Sequence, residues 1–412
     1  MHAANTSPFV NSTTTGQTPQ TAKAGRFFSY QLKYIYIMSK KKLKAIHIHT
    51  DYSFVTDSYL FDGELFENET IIFQKKEPFN RSFKHKPILL NYRIRDIKKA
   101  IEICKNSDLV VLYDLNMIKC LIALALPYKV KVAWRFFGYE LYRRKKELFL
   151  SEKSFKFIQQ KKKKIYYPLL KIYYYLKYKY IFDKAVKRIN YMLVLSNEEY
   201  SFLKNIYKTL PEFIQLPHIF FEETLTLPNT KKKDNNTPPT IVIGNNRSSY
   251  NNHLDVIELI ENNPAKLNYN FTLLFNYGQT GRYYKEVKNR VKNKPYFNLI
   301  EDFIPPEEFN DFYQNISALV INSYRQMAAA NIFLALRNGV KVYLNEKNFL
   351  MQWLKNEGII VFSFADFDKD LKDGNIQLDY ETAEKNLEKL KQFSKKYTKE
   401  DFQKIIYNKI VK

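Results

Sequence analysis

Between Ile241 and Ile260 the chain reads as strand, turn and helix, and few folds accept that pattern repeated along a sequence. Ile241-Val242-Ile243 is an apolar, β-branched run that Gly244 stops. Polar residues fill positions 245–252, and then Leu254, Ile257, Leu259 and Ile260 take up helical spacing. A Gly at a strand's carboxyl end lets backbone approach a ligand, and the helix that follows presents free N–H groups to anions. The same features also describe a plain strand-to-helix turn, so the rest of the chain must decide.

The alternation continues on both sides. Leu43 to His49, Asp108 to Tyr113, Val130 to Trp134 and Tyr191 to Leu195 read as strands. Helical periodicity at Arg95 to Cys104, Ile118 to Leu126 and after Ser196, a Ser N-cap, separates them. Beyond Ile260, strands are expected at 271–275, 318–322, 340–344 and 359–362, with helices at 306–314 and 326–337. Such alternation predicts parallel, doubly wound sheets with functional loops at the strands' carboxyl ends. The polar, Pro-bearing stretch 227–240 divides the chain into a first α/β domain, 38–226, and a second, 241–375. Charged helices at 376–412 are expected to pack back across both. Residues 1–37, Thr/Asn/Gln-rich and then briefly apolar, read as a leader or tag and are left out of the fold.

Charge narrows the partners. The 412 residues carry a formal charge of +24, which points to a polyanionic surface: nucleic acid, anionic lipid or phosphorylated substrate. Counting along 143–188 gives sixteen Lys/Arg against three acids, Glu147, Glu152 and Asp183, so this insert supplies 13 of the 24 charges. Its second half interleaves Lys171, Lys177 and Lys179 with eight aromatics between Tyr166 and Phe182. A helix of that kind can lay Tyr and Leu at a headgroup boundary while its lysines face anionic lipid. The plainer alternative is a solvated helical hairpin. No nucleic-acid motif accompanies the charge, so nucleic acid is not expected as a partner. Cys104 and Cys120 lack metal-ligand spacing and suit buried thiols in a reducing compartment. No stretch reaches the roughly 18 apolar residues of a membrane-spanning helix.

No Gly-x-Ser-x-Gly elbow, Walker loop or paired-Cys motif is present. Asp366, Asp368 and Asp370 read as a solvated turn rather than a metal site, and no metal is expected. His47 and His49 share one strand face and suit core positions. What remains is polar residues at strand ends: Asp51, Asp57 and Glu140 in the first domain. In the second these are Gly244, Asn245, Ser248, Ser249, Asn252 and His253, with Tyr277, Asn322, Arg325 and Gln326 on later loops. Arg325 and Gln326 precede an Ala-rich helix, a placement that joins a fixed cation to helix N–H groups and suits a diphosphate. A carboxylate across the cleft would take a proton from an attacking hydroxyl. Group transfer from a nucleotide-activated donor fits this layout.

The segments GNNRSSYNNHL (244–254), YRQMAAANIFLALRNGVKVYLNEKN (324–348) and WRFFGYELY (134–142) resemble the TDP-N-acetylfucosamine:lipid II N-acetylfucosaminyltransferase family, glycosyltransferase family 56. The likeness covers roughly residues 43–365. It implies a GT-B fold: two Rossmann-like domains facing across a cleft. It further implies inverting transfer from dTDP-4-acetamido-4,6-dideoxygalactose to a polyprenyl-diphosphate-linked saccharide at the cytoplasmic face of the bacterial inner membrane. By position, Gly244 and Asn245 would form the donor-side turn, Asn252 and His253 would open the next helix, and Arg325 and Gln326 would meet the diphosphate. Asn345 and Asn348 fall in the loop after the next strand. Trp134, Gly138, Glu140 and Tyr142 match the first-domain motif. The family supplies no secure base; Asp51 is expected in that role, with Glu140 in reserve. The basic insert departs from the family in length and charge, which leaves the acceptor less constrained than the donor. Residues 322–340 contain no Glu, which disfavours retaining GT-B enzymes with a Glu pair at the donor site. Two rivals stand: a GT-B enzyme of capsule or lipopolysaccharide assembly using a UDP- or GDP-sugar, and a non-catalytic protein that holds membrane or nucleic acid.

Overall fold

The computed structural model describes residues 41–52, 54–74, 83–159, 167–217 and 238–412. The leader, most of the 227–240 linker and the four lysines at 161–164 lie outside the described residues.

Two wholly parallel sheets organise the chain. The first has seven strands: β1 (Leu43–His49), β2 (Phe66–Phe73), β3 (Ile88–Leu90), β4 (Leu109–Tyr113), β5 (Lys131–Arg135), β6 (Tyr191–Val194) and β7 (Glu212–Gln215), in the order β3-β2-β1-β4-β5-β6-β7. The second has six: β8 (Thr240–Ile243), β9 (Asn270–Leu274), β10 (Phe297–Ile300), β11 (Ala318–Ile321), β12 (Lys341–Leu344) and β13 (Phe362–Ser363), in the order β10-β9-β8-β11-β12-β13. Both are the doubly wound arrangement expected. The central strands are buried on both faces, as LVVLY in β4 and ALVI in β11 require when helices cover each side.

Strands β2, β3, β7 and β10 escaped the sequence reading. FENETIIF opens with four polar-rich residues, and β3 and β7 are short strands at or near a sheet edge. Three other expectations need correction. Strand β13 is only two residues long. The run at 364–373 is a helix, not a turn: Ser363 and Asp366 form a reciprocal capping box, and Asp370 pairs with Lys341 at 2.7 Å. The helix expected to start at Gln326 begins at Ala329, because the backbone turns left-handed at Ala328 (φ 62°).

The C-terminal helices do return across the domains. In the helix Lys399–Val411, Gln403 donates to the Leu60 and Asp62 carbonyls at 2.7 and 3.0 Å. The Tyr407 hydroxyl donates to the Lys41 carbonyl, and Tyr191 of β6 donates to the Lys409 carbonyl. Phe402 and Ile406 are fully buried and join the cores beneath the two sheets.

The basic insert is two structures rather than one. Its first part, ending in the helix Glu152–Gln159, docks on the second domain. The Ser151 amide donates to Asn252 Oδ1 at 2.8 Å, its hydroxyl donates to Asp255 at 2.5 Å, and Arg282 stacks on Phe157. The second part, Tyr167–Tyr175 continued through a π-helical segment Leu176–Phe182 into Asp183–Arg188, is a separate helix on the first domain. No helix among the described residues is long and apolar enough to cross a membrane.

Candidate functional site

In each sheet the strand order reverses beside the first strand, between β1 and β4 and between β8 and β11. Ligands of open α/β sheets bind in the crevice outside the carboxyl ends at that reversal. The two crevices of this molecule face one another across Arg325, and the side chains below come from these four strand ends and from the ends of β5, β9 and β12.

The second-domain crevice is built on Gly244. Its φ of 67° is left-handed, and a Cβ there would sit 2.6 Å from His253 Nε2. Only glycine lets this turn close over the imidazole. His253 is fully buried, edge-on to Phe275, and burial alone lowers its pKa to about 3. It supports the turn from beneath as a neutral ring. Asn245 donates to the Tyr277 hydroxyl at 2.8 Å, tying the turn to the loop after β9, while its Oδ1 has no partner among the described residues. Ser248 Oγ accepts from the Tyr250 amide, and Asn246 Oδ1 accepts from the Ser248 amide. Asn252, at φ 49°, spends its whole amide on structure: Nδ2 donates to the Asn322 carbonyl at 2.9 Å and Oδ1 accepts from Ser151. Asn345 donates to Asn322 Oδ1 and accepts from the Lys347 amide. Asn348 caps the helix Phe349–Asn356. Of the donor-side residues expected from sequence, Asn252, His253 and Asn345 therefore shape the crevice from behind.

Arg325 is placed differently. Its guanidinium lies over the Tyr250 ring at 4.8 Å and, across the cleft, over the Tyr142 ring at 5.5 Å. Its Nε and Nη1 are buried with no hydrogen-bond partner among the described residues. Gly138 makes this approach possible. At φ 92° it brings the first-domain backbone so close that a Cβ would lie 3.2 Å from Arg325 Nη1 and closer still to the Tyr142 ring. Buried guanidinium donors left idle are costly unless an anion meets them. Gln326 makes a long contact at 3.5 Å with Ser196 of the first domain.

The first-domain crevice holds a cavity of about 380 Å³ that ends at Arg325. Asp51 and Phe54 line it from the loop after β1, and Phe137 and Tyr139 from the loop after β5. Its floor is polar and closely paired. Asp114, at φ 68°, accepts from Thr50 Oγ1 at 3.2 Å and from the Asn116 amide at 3.1 Å, and pairs with Lys119 at 3.0 Å. The Tyr139 hydroxyl is also bonded to Asp114, and burial raises its pKa. Lys119 is fully buried, which lowers its pKa against the pull of Asp114. His49, the last residue of β1, stacks on Tyr113 with ring centroids 3.9 Å apart.

Glu140 is not on this wall. It is fully buried, accepts from Trp134 Nε1 at 3.2 Å, and has its pKa pushed up to about 7 by burial. Asp57 is likewise committed, pairing with Arg135 at 2.9 Å. Asp51 is exposed on the cavity rim. Sequence reading missed Thr50, Asp114, Tyr139 and Tyr250 as site residues. Asp114 left one usable signal: an acidic residue directly after the all-apolar β4 and two before an Asn cap.

No family model matches the sequence, and no curated protein matches it. Solved structures do. The apo form of the lipopolysaccharide outer core galactosyltransferase WaaB aligns over 89% of this chain and 100% of its own, with a TM-score of 0.56 and 11% identity. The sucrose-phosphate synthase of Thermosynechococcus elongatus aligns over 90% and 99%, with a TM-score of 0.60 and 11% identity. An alpha-glucosyltransferase in complex with UDP aligns over 90% and 100%, with a TM-score of 0.55 and 12% identity. At these identities the likeness is one of fold, and the chain has the GT-B fold: two doubly wound domains facing across a cleft.

Proposed function

We propose that the protein is a glycosyltransferase that takes a sugar from a nucleotide-sugar donor. The carrying observation is Arg325, half-buried between the two crevices with its Nε and Nη1 atoms buried and without a hydrogen-bond partner among the described residues. A guanidinium so placed suits a donor diphosphate at the junction of the Gly244 turn and the first-domain cavity. The acceptor hydroxyl would enter from the cavity side. Asp51, on its rim, would take the proton as the oxygen attacks the anomeric carbon from the face opposite the diphosphate, inverting the centre. Arg325 would stabilise the charge that builds on the leaving diphosphate. The leaving-group role then falls to an arginine rather than a metal, so nucleotide binding is expected to survive chelators. A fold shared with a UDP-bound alpha-glucosyltransferase adds support for a nucleotide-sugar donor.

The finer reading rests on the sequence resemblance. A dTDP-linked 4-acetamido-4,6-dideoxygalactose would be the donor and a polyprenyl-diphosphate-linked saccharide the acceptor. The enzyme would work peripherally at the cytoplasmic face of the bacterial inner membrane. UDP- or GDP-sugars of capsule or lipopolysaccharide assembly are the competing donors.

Thermal-shift titration with dTDP, UDP, GDP and CMP tests both levels. One nucleotide should raise the melting temperature with chelator present, and Arg325→Ala should abolish the shift and lower kcat/KM by about 10²–10³. Thymidine selectivity would favour the finer reading. Near-normal turnover in Arg325→Ala would remove the leaving-group role, and silence toward all four nucleotides would overturn the transferase itself.

A further inference from the structure

Among the polar side chains lining the cavity beside Arg325 that the mechanism above does not use, His49 stands apart. His49 is 2% exposed, stacks flat on Tyr113, and its Nε2 has no hydrogen-bond partner among the described residues. Its neighbour one turn of the pleat earlier shows what a structural histidine looks like in this strand. His47 is equally buried but has both nitrogens engaged, by the Tyr113 hydroxyl and by Asn68, each at 3.1 Å. The polar groups on the cavity floor are mutually satisfied as well, with Thr50, Asp114 and Lys119 closed on one another. His49 is the exception, and it lines the cavity.

The shape and chemistry of the space select the occupant. A volume of about 380 Å³ lies in the range of small-ligand pockets, roughly 300–1,000 Å³. Phe54 and Phe137, with centroids 4.3 Å apart, give it an aromatic wall, and the Asp51 carboxylate gives it a polar rim. Aromatic faces suit the C–H face of a pyranose, and polar edges suit its hydroxyls. A nucleotide phosphate belongs at the Arg325 end instead. Burial, then His47 and then Lys119, hold the His49 imidazole well below its ordinary pKa, so it is neutral at physiological pH. A neutral imidazole offers one donor and one acceptor, the complement of a sugar hydroxyl.

We propose that this cavity is the subsite for the terminal pyranose of the acceptor, and that His49 hydrogen-bonds a hydroxyl beside the attacking one and so selects the acceptor's configuration. The assignment rests on the glycosyl-transfer reading. His49 is a specificity residue in it, and Asp51 remains the base. A site built to bond a hydroxyl rejects ligands that lack it far more strongly than an apolar pocket rejects an extra methylene.

The test uses the full chain with its responding nucleotide bound and reads pyranoside binding by saturation-transfer NMR. The probes are methyl β-glucoside, β-galactoside and β-N-acetylglucosaminide, together with their mono-deoxy analogues. At least one parent glycoside should bind the wild type, and His49→Phe, which keeps the ring stacked on Tyr113, should weaken it at least tenfold. One deoxy analogue should bind wild type and His49→Phe alike, since the variant and the analogue remove the same contact. His49→Asn, which keeps a polar group at that reach, should recover part of the affinity and carries the test where the Phe variant melts without cooperativity. The nucleotide thermal shift should be unchanged in both variants. A retained nucleotide shift with no pyranoside binding to wild type, or with equal binding to wild type and His49→Phe, overturns the proposal. A wild type blind to nucleotides overturns the transferase reading instead, so the two failures are told apart.

Discussion

Glu140 and Glu199 are buried carboxyls that titrate out of their ordinary range. Both are almost wholly buried near the Arg325 contact, and burial pushes each pKa up to about 7 from an ordinary 4.5. Glu140 accepts from Trp134 while its Oε2 has no hydrogen-bond partner among the described residues, and Glu199 accepts from the Tyr142 hydroxyl. The folded state therefore holds protons that the unfolded chain releases. Stability is greatest below about pH 4.5 as far as these two groups are concerned, and it falls as pH rises to about 7, at roughly 1.4 kcal/mol per pH unit for each. Glu140→Gln keeps an acceptor for Trp134 and removes one of the two titrations. The variant should gain on wild type as pH rises from about 5 to about 7 and be more stable by roughly 1–3 kcal/mol at about pH 8, whatever the buried histidines add to both proteins alike. Denaturant melts across that pH range measure it. A difference between variant and wild type that stays flat over the same interval would show that Glu140 holds no proton in the folded state.

At the scale of elements, one left-handed asparagine ties together two buried groups at the joint between the domains. Asn252 bridges the Ser151 amide of the first domain to the Asn322 carbonyl after β11, and starts the helix His253–Asn262. Asn252→Gly keeps the backbone conformation and strands both buried partners, at a cost of about 1–3 kcal/mol for each group left unsatisfied. Asn252→Ala adds a left-handed strain of about 1–2 kcal/mol. Melting temperatures should therefore fall in the order wild type, Gly, Ala, and hydrogen exchange at the Ser151 amide should quicken in both variants. Equal stability of the Gly and Ala forms would mean the turn relaxes. This residue also marks the limit of what the sequence makes legible. Gly244, the strand cores and the Ser196 cap announce themselves through local chemistry, because a positive φ, a buried face or a helix N-terminus each needs a particular residue type. Asn252 looked equally suited to a ligand, and only the position of Ser151, about a hundred residues away in sequence, decides that its amide is occupied. Asp51 is expected as the base ahead of Glu140, but local sequence says nothing of how deep either one sits. Each is an acid after a strand, and depth in the fold separates a rim carboxylate from one sealed beneath Trp134. His49 inverted the error: alternation on β1 suggested core, and the ring is indeed buried, but against a cavity.

For the whole molecule, the question is where a protein of charge +24 rests while it works. The helix segments Tyr167–Tyr175 and Leu176–Phe182 leave Leu169, Ile172, Tyr175 and Tyr180 more than half exposed. Leu121 and Leu124 of the helix Met117–Ala125, against which this segment packs, and the nearby Tyr128 extend the apolar surface. Lysines run among these residues: Lys179 lies over the Tyr175 ring at 5.7 Å and Lys184 over Tyr180 at 4.1 Å. Exposed apolar area of this kind suits an interaction surface, and we propose that the interleaved cations would favour an anionic one. The helix is the crossover before β6, so its first residues lie toward the carboxyl end of the sheet, on the side where the cavity opens. A lipid-linked acceptor would then reach the cavity from the plane on which the helix lies. We expect wild type to sediment with vesicles containing phosphatidylglycerol and not with neutral phosphatidylcholine vesicles. Lys171, Lys179 and Lys184 are exposed, so changing all three to Glu should leave the melting temperature and nucleotide shift intact. At about 1 kcal/mol per basic residue the triple variant should lose at least about 100-fold in vesicle affinity. Leu169→Asp with Ile172→Asp separates the two components. If the helix only hovers on charge, these changes should do little at low salt; if its apolar face enters the headgroup boundary, binding should fail even there. Indifference of all these variants would return the segment to the solvated-helix alternative and leave the transferase reading standing, since that reading is argued from Arg325 and the cavity beside it.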